Sequence, residues 1–549
     1  MCLKSAGMEP VPEETARLAR IVCRPGTLCL LMRDELGEVF QDELFTSLFP
    51  RRGQPAEAPW RLAMITVLQF AEGLTDRQAA NAVRTRIDMK YALGLELEDQ
   101  GFDFSVLSEF RARLVAGGAE QRLFEALLTH AKTRGWLKAR GRQRTDSTHV
   151  LAAIQGLSRL ECVAETLRHA LNVLATVEPT WLQAWVPSEW FERYATRWED
   201  YRLPSGREER QALAEMIGRD GRRLLQHIYA AASPIWLCEL PAITILRQVW
   251  IQQFYAEHEQ AHWRDAKDLP PSSLLICTPY DAEARYSQKR GMSWTGYKVH
   301  VTESCDEDGP HLVTDVQTTP APISDFDMIP PIQAALGQRD LLPHEQLLDA
   351  GYVTAAHIIS SQTDSGIDLV GPIAADTSWQ AQTAKGFGTA DFRIEWSAQT
   401  AWCPQGCQSV LWMVRQDRNG HEVIHIKFAA KDCLGCPVRS QCTHALKEPR
   451  SIMIRAEPTY QVLRNARQRQ HTPAFKELYA KRAGIEGTLS QGVRAFGLRR
   501  SRYVGEAKTR LQMCMTAVAI NVVRIGAWIE EQPRGLTRCS RFAALAPTG

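Results

Sequence analysis

The order of strand and helix patterns between residues 294 and 373 constrains the fold more than any other feature of the sequence. Strand patterns come first, at WTGYKVHVTE and HLVTDVQTTPA. They are followed by a helix pattern at DFDMIPPIQAALGQ, a short buried strand in HEQLLDAGYV, a helical TAAHIISSQTDSG and a buried strand at IDLVGPI. Two antiparallel strands followed by helix, strand, helix and strand indicate an α/β sheet with helices packed against it.

The composition is that of a globular protein with several domains. The 549 residues are 44% hydrophobic and 23% charged, with 65 Lys and Arg against 63 Asp and Glu, which suits about two to four domains. The most apolar stretch is interrupted by Asn521 and Arg524, so we expect no transmembrane helix. The N-terminus lacks the order of a signal peptide. We therefore expect a cytoplasmic protein whose cysteines, 14 in number, are mostly reduced.

Helical patterns dominate two further parts of the chain. WRLAMITVLQFAEG stops at Gly73, and LTDRQAANAVRTRI follows with Thr75 and Gln78 spaced as a capping box. Helix, short turn and helix is the outline of a helix-turn-helix, although most such pairs merely pack. Residues 155–265 are mostly helical and hold seven tryptophans, which we interpret as helix-packing core rather than as base-stacking residues.

Two aspartates are predicted to stand where sheets build ligand sites. RQRTDSTHV reads as a strand ending near Asp146, and HEQLLDAGYV runs into Asp349. Strand ends are the usual place for a site in an α/β sheet, and a buried Asp is costly unless something positive meets it. Each aspartate also has a structural interpretation, as a turn cap or a helix start. The patterns alone do not decide between the two.

The third carboxylate of interest, Glu486, stands in a strongly basic segment. Residues 464–510 contain twelve Lys or Arg but only three Glu, which is typical of a surface that faces a polyanion, and also of a solvated helix face. Tyr479, Arg482 and Glu486 fall on one helix face, so Arg482 can hold the Glu486 carboxylate or a phosphate. If the three acids meet, their repulsion calls for divalent cations, and two Mg²⁺ or Mn²⁺ ions would suit their oxygens and phosphoryl transfer.

Several motifs together resemble the bacterial insertion-sequence transposases of the DDE type. They are RTDSTHV, ARYSQKRGMSWTGYKVH, VTDVQTTPAPISD, LLDAGYV and YAKRAGIEGTLSQGVRAFGLRRSRYVG. AMITVLQFAEGLTDRQAANAVRTRIDMKYALGL and GFDFSVLSEFRARL are similar to the subgroup with a helical N-terminal domain and a cysteine cluster before the last acid. The resemblance covers about residues 40–530 and implies an RNase H-like core with Asp146, Asp349 and Glu486 as the metal-binding catalytic triad.

The resemblance also implies which residues contact DNA. Related transposases carry a Y-x2-R-x3-E-x6-K signature, which Tyr479, Arg482 and Glu486 fit. Val493 occupies the Lys position, so Arg494 beside it is the candidate for the phosphate contact. From charge placement and helix pattern we expect further backbone contacts and sequence readout from five arginines: Arg499, Arg500 and Arg502 for the backbone, and Arg77 and Arg84 for the sequence.

Five cysteines form a candidate second metal site. They lie in CPQGCQ and CLGCPVRSQC, at Cys403, Cys407, Cys433, Cys436 and Cys442. The C-x2-C pair suits two ligands of a tetrahedral zinc ion. An iron–sulfur cluster and reduced thiols without metal are the alternatives, and His425 or His444 can replace one thiol. In each case the expected role is structural, because soft thiolates do not suit Mg²⁺.

The expected fold is α/β, with an RNase H-like mixed sheet flanked by helices, a helical N-terminal domain, a helical insertion and a small cysteine-bearing insertion. The predicted divisions are an N-terminal extension (1–55), a helical, DNA-end-binding domain (56–135), the core (136–154 and 270–380), the helical insertion (155–269), the cysteine insertion (381–457), C-terminal core helices (458–530) and a flexible tail (531–549).

We expect a metal-dependent DNA transposase that cleaves and joins the ends of its element. Its expected partners are double-stranded DNA, at the terminal inverted repeats and at the target, and a second copy of itself in the DNA complex. Two alternatives stay open on the sequence. One is a nuclease of the same fold without strand transfer, and the other is a catalytically inactive DNA-binding regulator.

Overall fold

The computed structural model describes residue 3 and residues 7–50, 52–199, 203–257, 260–289, 291–383, 385–418 and 420–533. Most of the predicted tail, from residue 534 onward, lies outside the described residues. The chain begins with seven α-helices: α1 (Glu13–Val22), α2 (Leu28–Leu36), α3 (Pro59–Glu72), α4 (Asp76–Thr85), α5 (Ile87–Leu93), α6 (Ser105–Ala116) and α7 (Arg122–Thr133). The capping box predicted at Thr75 and Gln78 is confirmed at the start of α4, and Gly73 ends α3 in a left-handed conformation with φ 70°.

A long strand, β1 (Arg140–Leu151), leads from these helices into the helical insertion. The insertion contains α8 (Arg159–Val177), α9 (Pro179–Gln183), α10 (Ser188–Arg193), α11 (Arg207–Ile228), α12 (Pro241–Gln253) and a hairpin of β2 (Phe254–Glu257) and β3 (Gln260–Trp263). The chain then forms β4 (Arg285–Lys289), β5 (Met292–Ser304), β6 (Val313–Pro320), α13 (Ile329–Gln338), β7 (Pro343–Leu348), α14 (Ala355–Ser365) and β8 (Asp368–Val370).

The remaining elements form the cysteine segment and the C-terminal helices. The cysteine segment consists of α15 (Trp379–Gln382), β9 (Arg393–Glu395), β10 (Thr400–Trp402), β11 (Ser409–Gln416), β12 (Glu422–Phe428), α16 (Ala430–Leu434), α17 (Arg439–Cys442) and β13 (Ser451–Arg455). Then come α18 (Glu457–Arg469), α19 (Pro473–Ala480), α20 (Gly484–Phe496) and α21 (Glu506–Ile529).

The central sheet is mixed, as the sequence predicts. Its strands run in the order β4-β5-β1-β7-β8. Strand β4 pairs with residues 292–296 of β5, and β6 pairs with residues 297–303 of the same strand. The pairs β1–β5, β4–β5 and β5–β6 are antiparallel, whereas β1–β7 and β7–β8 are parallel. This curled sheet with helices packed against it is consistent with an RNase H-like core.

One prediction about β1 is wrong. The strand does not end near Asp146 but continues to Leu151, because its pairing with β5 extends from Gln143↔Ser304 to Leu151↔Gly296. Its pairing with β7, however, does stop beside the aspartate, at Thr145↔Leu348. Asp146 therefore lies inside the β1–β5 ladder but just past the end of the β1–β7 ladder. The sequence pattern of β1 alone does not show where each of the two ladders stops.

The N-terminal helices and the sheet share a single hydrophobic core. Its members include Leu31 of α2, Leu68 of α3, Tyr297 of β5, Leu348 of β7 and Val518 of α21. Helix α21 packs against β6, α3 and α7 and so joins the two regions. The insertion has a separate core.

Helix α21 is long and apolar and belongs to this core. By length and composition alone it could cross a membrane, but 72% of its most apolar window is buried within the protein. The buried Asn521 side chain accepts a hydrogen bond from the Val313 amide (2.7 Å) and donates one to the Val313 carbonyl (2.8 Å). Because its apolar face is buried and the polar Asn521 side chain is hydrogen-bonded within the protein, we interpret α21 as a core helix.

The tryptophans of the insertion pack largely as predicted. Trp190 and Trp250 are buried in the insertion core, and four others pack against it half-buried: Trp181, Trp185, Trp198 and Trp263. Trp236 is more exposed than the rest.

Candidate active site

The end of the parallel β1–β7 ladder brings Asp146 and Asp349 together. Thr145 pairs with Leu348 as the last residues of the β1–β7 ladder, and the next residue on each strand is an aspartate. The Ser147 amide donates to the Asp146 carboxylate (2.8 Å), and the Gly351 amide donates to that of Asp349. Side chains at such an edge share a site by construction of the sheet.

Arg482 connects all three predicted catalytic acids. Its Nη2 lies 2.6 Å from Asp146 Oδ2 and 4.0 Å from Asp349 Oδ2, and its Nη1 lies 3.0 Å from Glu486 Oε1. The acids differ in exposure, since the side chains of Asp146, Asp349 and Glu486 are 15%, 30% and 67% exposed. One guanidinium group thus stands among three carboxylates contributed by distant parts of the chain.

The charge environment of Asp146 has opposing components. Burial raises the pKa of the Asp146 carboxyl above its usual value, and the neighbouring Asp349 raises it further. Arg482, the Ser147 amide and Lys289 act in the opposite direction, but burial prevails. Ionisation of Asp146 is therefore unfavourable in spite of Arg482. A further cation at the site would stabilise the ionised carboxylate.

The segment that carries Arg482 and Glu486 is helical throughout. Tyr479 is in α19, Arg482 is in a 3-10 turn (Lys481–Ala483), and Glu486 is in the first turn of α20. Tyr479 stacks on Phe475 with ring centroids 5.6 Å apart. The sequence prediction that Arg482 can pair with Glu486 four residues later agrees with this geometry.

A buried charge network fixes α20 to the sheet. Glu303 of β5 accepts from Arg144 of β1 (2.6 Å), from Arg524 of α21 (2.7 Å) and from the Thr488 hydroxyl of α20 (2.5 Å). Arg144 also donates to the Lys481 carbonyl (2.6 Å). Burial raises the pKa of Glu303, but its two arginines lower it more, so the net shift is downward and the group is ionised.

A third aspartate, Asp325, lies beside the site and was not predicted. It pairs with Lys298 (3.0 Å) and Lys289 (3.1 Å) and accepts from the Ser147 hydroxyl (3.0 Å). It occurs in the motif PAPISD, whose single Asp was the available signal. Asp325 thus holds the residue next to Asp146 and two lysines near the acids.

A neutral tyrosine–histidine pair is buried nearby. Tyr352 and His300 Nδ1 are 2.7 Å apart. Burial lowers the pKa of His300 to about 3 and raises that of Tyr352 well above its usual value. Both groups are therefore uncharged at neutral pH and leave the charge of the site to the acids, arginines and lysines.

The acids and three of the predicted DNA-contacting arginines, Arg482, Arg494 and Arg499, line one open pocket. The pocket has a volume of about 470 Å³, and its polar lining includes Lys289, Arg494 and Arg499 besides the triad and Arg482. Arg499 donates to the Thr148 hydroxyl (2.9 Å). The site is therefore an acidic centre with a basic rim.

The other predicted DNA-contacting arginines lie outside this pocket. Arg500 is exposed just after α20. Arg502 stacks over Phe70 (5.2 Å) and donates to the Leu74 carbonyl (3.3 Å), at the turn between α3 and α4. On α4, Arg77 lies over the Phe104 ring (4.8 Å) and Arg84 donates to the Gln100 carbonyl (3.2 Å). Both side chains belong to exposed residues.

The five predicted cysteines line one small cavity of about 30 Å³. All five are free thiols, and each is partly buried. His425 and His444 do not line the cavity; His444 instead stacks on Trp379 with centroids 3.8 Å apart. The cavity therefore contains thiols contributed by both parts of the predicted metal segment.

One further group of side chains has the spacing of metal ligands, but its two acids are already paired with an arginine. Within the described residues, one group of three or more such atoms lies within 4.8 Å, formed by Cys29, Glu72 and Asp88. Arg86 donates to Glu72 (2.9 Å) and Asp88 (2.6 Å), and burial raises the pKa of the Cys29 thiol far above its usual value. The triad and the five cysteines are spaced more widely than this limit.

An aspartate within one strand, a second aspartate just after the neighbouring parallel strand and a glutamate on a later helix, all on a mixed sheet, are the arrangement of the DDE class of RNase H-like proteins. A family model described as a transposase DDE domain matches residues 402–526, and a transposase domain model (DUF772) matches residues 27–113. Together they support the insertion-sequence DDE transposases as the family of this chain, as its motifs predict. No curated protein and no solved structure matches the chain.

The DDE-domain match covers only part of the candidate active site. The DDE-domain match contains Glu486, Arg482 and the five cysteines, whereas Asp146 and Asp349 lie before it. The roles of the two aspartates therefore depend on the geometry described above.

Proposed function

We propose that the protein cleaves the ends of its own insertion element and joins them to target DNA by metal-dependent phosphoryl transfer. The observation that carries this proposal is the convergence of Asp146, Asp349 and Glu486 on one cation, Arg482. Three carboxylates can bind divalent metal ions through their oxygens. The arginines that border them can bind the phosphates of a DNA backbone beside those ions.

The three acids fit a hard divalent cation. The guanidinium group of Arg482 is a stand-in for such a cation, since it already lies within ion-pair distance of each carboxylate. Asp146, Asp349 and Glu486 would hold Mg²⁺ or Mn²⁺, as two ions, through their oxygens. Bound there, the ions would stabilise the attacking and leaving oxygens of an in-line displacement at phosphorus.

The residues of the chain itself bind and orient the DNA. Lys289, Arg494 and Arg499 border the pocket and are placed to contact phosphates next to the scissile one. Arg482 has two roles: it neutralises the acids before DNA binds and turns to a phosphate afterwards, because the acids then have another counter-charge. Tyr479, one helical turn earlier, would contact the same strand.

The remaining assignments follow from this function. We propose that residues 56–135 bind the terminal inverted repeats, with Arg77 and Arg84 contributing to sequence readout, and that Arg500 and Arg502 contact the backbone. A homodimer would pair the two ends, and the protein would act in the cytoplasm on the bacterial DNA. A structural zinc ion in the cysteine segment is a separate proposal, since thiolates do not suit Mg²⁺ chemistry.

Substitution of the triad tests the proposal. Asp146→Asn, Asp349→Asn and Glu486→Gln should each abolish cleavage of element-end DNA while leaving DNA binding and circular dichroism unchanged. Asp364→Asn, which alters an exposed carboxylate on α14, is the matched control and should cleave normally. Normal cleavage by any triad variant would remove that residue from the site.

The same assay separates the two alternatives. Cleaved ends without joined products would identify a nuclease without strand transfer. DNA binding without cleavage by the wild-type protein would identify a regulator.

A further inference from the structure

The cysteine cavity is built from two arms of the chain that the fold brings together. Cys403 and Cys407 stand at the turn between β10 and β11, which is closed by the Cys403 amide donating to the Cys407 carbonyl (2.9 Å) and by Gly406 at φ 80°. Cys433 and Cys436 stand at the end of α16, where the Cys436 amide donates to the Cys433 carbonyl (3.4 Å). Cys442 ends α17.

The five thiols have different surroundings. Cys403, Cys433 and Cys442 pack against the hydrophobic core of the segment, whereas Cys407 and Cys436 do not. The backbones of Cys403 and Cys407 are hydrogen-bonded to each other, and all five thiols line the same cavity. The cavity therefore offers two thiols from the β10–β11 turn and three from the arm that contains α16 and α17.

The segment also has too small a core to be stable without support. Its hydrophobic cluster contains eight buried residues, spread between Phe392 and Tyr460. The three-stranded sheet β11-β12-β13 leaves Val410, Val414 and Met453 exposed. Small units of this kind are usually stabilised by disulfides or by a structural metal, and the described cysteines are all free.

We propose that Cys433, Cys436 and Cys442, together with Cys403 or Cys407 from the other arm, form a structural Zn²⁺ site in this cavity. Four thiolates from two arms are the donor set of closed structural zinc sites. The ion would lie in the cavity and draw the sulfurs closer together than they are now. It would tie β10 and β11 to the α16–α17 turn.

This site has a consequence for the chain that follows it. The segment connects β8 to α18, and α18 leads through α19 to Arg482 and Glu486. An ordered segment therefore fixes the path by which the last acid reaches the sheet. The zinc proposal itself does not depend on the DNA chemistry.

Metal analysis of full-length protein tests the proposal. Protein purified under reducing conditions and reconstituted with Zn²⁺ should contain about one equivalent by elemental analysis. Cys436→Ser and Cys442→Ser should lose most of that equivalent and melt at a lower temperature. Cys238→Ser, which alters a free cysteine outside the cavity, is the matched control and should keep it. Full retention of zinc by Cys436→Ser and Cys442→Ser would overturn the ligand assignment. No bound zinc in the wild type would overturn the site.

A second measurement needs no variant and so does not depend on how the substituted proteins fold. Wild-type protein is alkylated with and without Zn²⁺, and the modified cysteines are mapped by mass spectrometry. Zn²⁺ should protect Cys433, Cys436 and Cys442, together with Cys403 or Cys407, and should leave the labelling of Cys238 unchanged. Equal labelling with and without Zn²⁺ contradicts the proposal. Stoichiometric iron and sulfide in anaerobically purified protein would identify an iron–sulfur cluster instead.

Discussion

Arg482 provides the charge balance of the candidate active site. Its guanidinium group is 14% exposed and reaches three carboxylates within 4.0 Å. Like-charged groups this close repel one another strongly in a partly buried site. The free protein therefore keeps its acids paired with an internal cation, which a metal ion would have to replace under the proposed function.

Removal of this cation should strengthen metal binding in the absence of DNA. We expect Arg482→Gln to bind Mn²⁺ about tenfold more tightly than the wild type, which corresponds to about 1.4 kcal/mol, because the competing charge is gone. Mn²⁺ titration followed by electron paramagnetic resonance measures this. Arg494→Gln, which alters the rim of the same pocket, is the control and should raise the affinity less. Equal or weaker Mn²⁺ binding by Arg482→Gln would show that the arginine does not compete with the metal.

At the residue scale, the sequence identified the residues with strong local signatures. Tyr479, Arg482 and Glu486 are recognisable because their spacing falls on one helical segment. Asp325 was missed because its partners, Ser147 and Lys298, come from other strands and only the folded sheet brings them together. The exact contacts of Arg502 were equally inaccessible, since Phe70 and Leu74 are hundreds of residues away in the chain.

At the scale of elements, the position of α20 depends on its close approach to β1. A Cβ atom at Gly484 would lie 1.9 Å from Arg144 Nη1, so only glycine fits without displacing that guanidinium group. Arg144 is also bound to Glu303 and to the Lys481 carbonyl. The glycine thus allows the helix bearing Glu486 to dock on the charge network.

Two glycines of α20 provide a matched pair of substitutions. Gly484→Ala should leave the protein folded but lower DNA cleavage at least tenfold, because Arg144 or the helix has to move. Gly487→Ala, on the other side of Glu486, meets no atom within 4 Å and should cleave normally, with a stability gain of up to about 1 kcal/mol. Cleavage rates and thermal melts of both variants test this. Equal activity of the two would show that the close approach does not position Glu486.

The buried Glu303 should dominate the stability of the same element. Glu303→Gln leaves Arg144 and Arg524 with an uncompensated buried charge, so we expect a loss of about 3–5 kcal/mol in the free energy of unfolding at pH 7. Urea unfolding measures it. Glu307→Gln alters an exposed ion pair with Lys481 and, as the control, should leave the free energy of unfolding nearly unchanged.

The pH dependence of this loss has a definite sign. The pKa of Glu303 is lowered in the folded protein, so its contribution is complete above the unfolded pKa of about 4.3 and disappears as pH falls through the folded value. The stability difference between wild type and Glu303→Gln should therefore shrink as pH falls below about 4.3. A difference that grew on acidification would contradict the assignment.

The elements themselves could largely be read from the sequence. The helix–strand order from β5 to β8, the end of α3 at Gly73 and the cap of α4 depend on local signals and were predictable. The extent of β1 was not, because the polar residues after Asp146 look like a strand end. They stay in the strand through their pairing with β5, which is a long-range contact.

At the scale of the whole molecule, the basic residues proposed to contact DNA lie on two parts of the fold. Arg494, Arg499 and Lys289 surround the acids, whereas Arg77 and Arg84 stand on α4 of the N-terminal helices. Both regions are joined by a common core through α21. The net charge of +2 conceals this arrangement, so composition alone could not locate a DNA-binding surface.

The two regions should differ in what they contribute to DNA binding. Arg499→Ala and Arg500→Ala should weaken binding to end-sequence and scrambled duplexes alike, and each should flatten the slope of log K against log salt by about one unit. Arg84→Ala should instead reduce the preference for the end sequence. Binding isotherms at several salt concentrations measure both effects, with Arg415→Ala in the exposed part of β11 as the control. Loss of preference with an unchanged salt slope in Arg500→Ala would refute this division.

The most direct test of the central claim is a cleavage and joining assay on the element itself. Purified protein is incubated with Mg²⁺, a target plasmid and linear DNA that carries the gene with its flanking sequence on both sides. We predict strand cleavage at both borders and products joined to the plasmid, and neither from the Asp349→Asn protein. Intact DNA after incubation of the wild-type protein with Mg²⁺ or Mn²⁺, or equal activity of Asp349→Asn, would contradict the account.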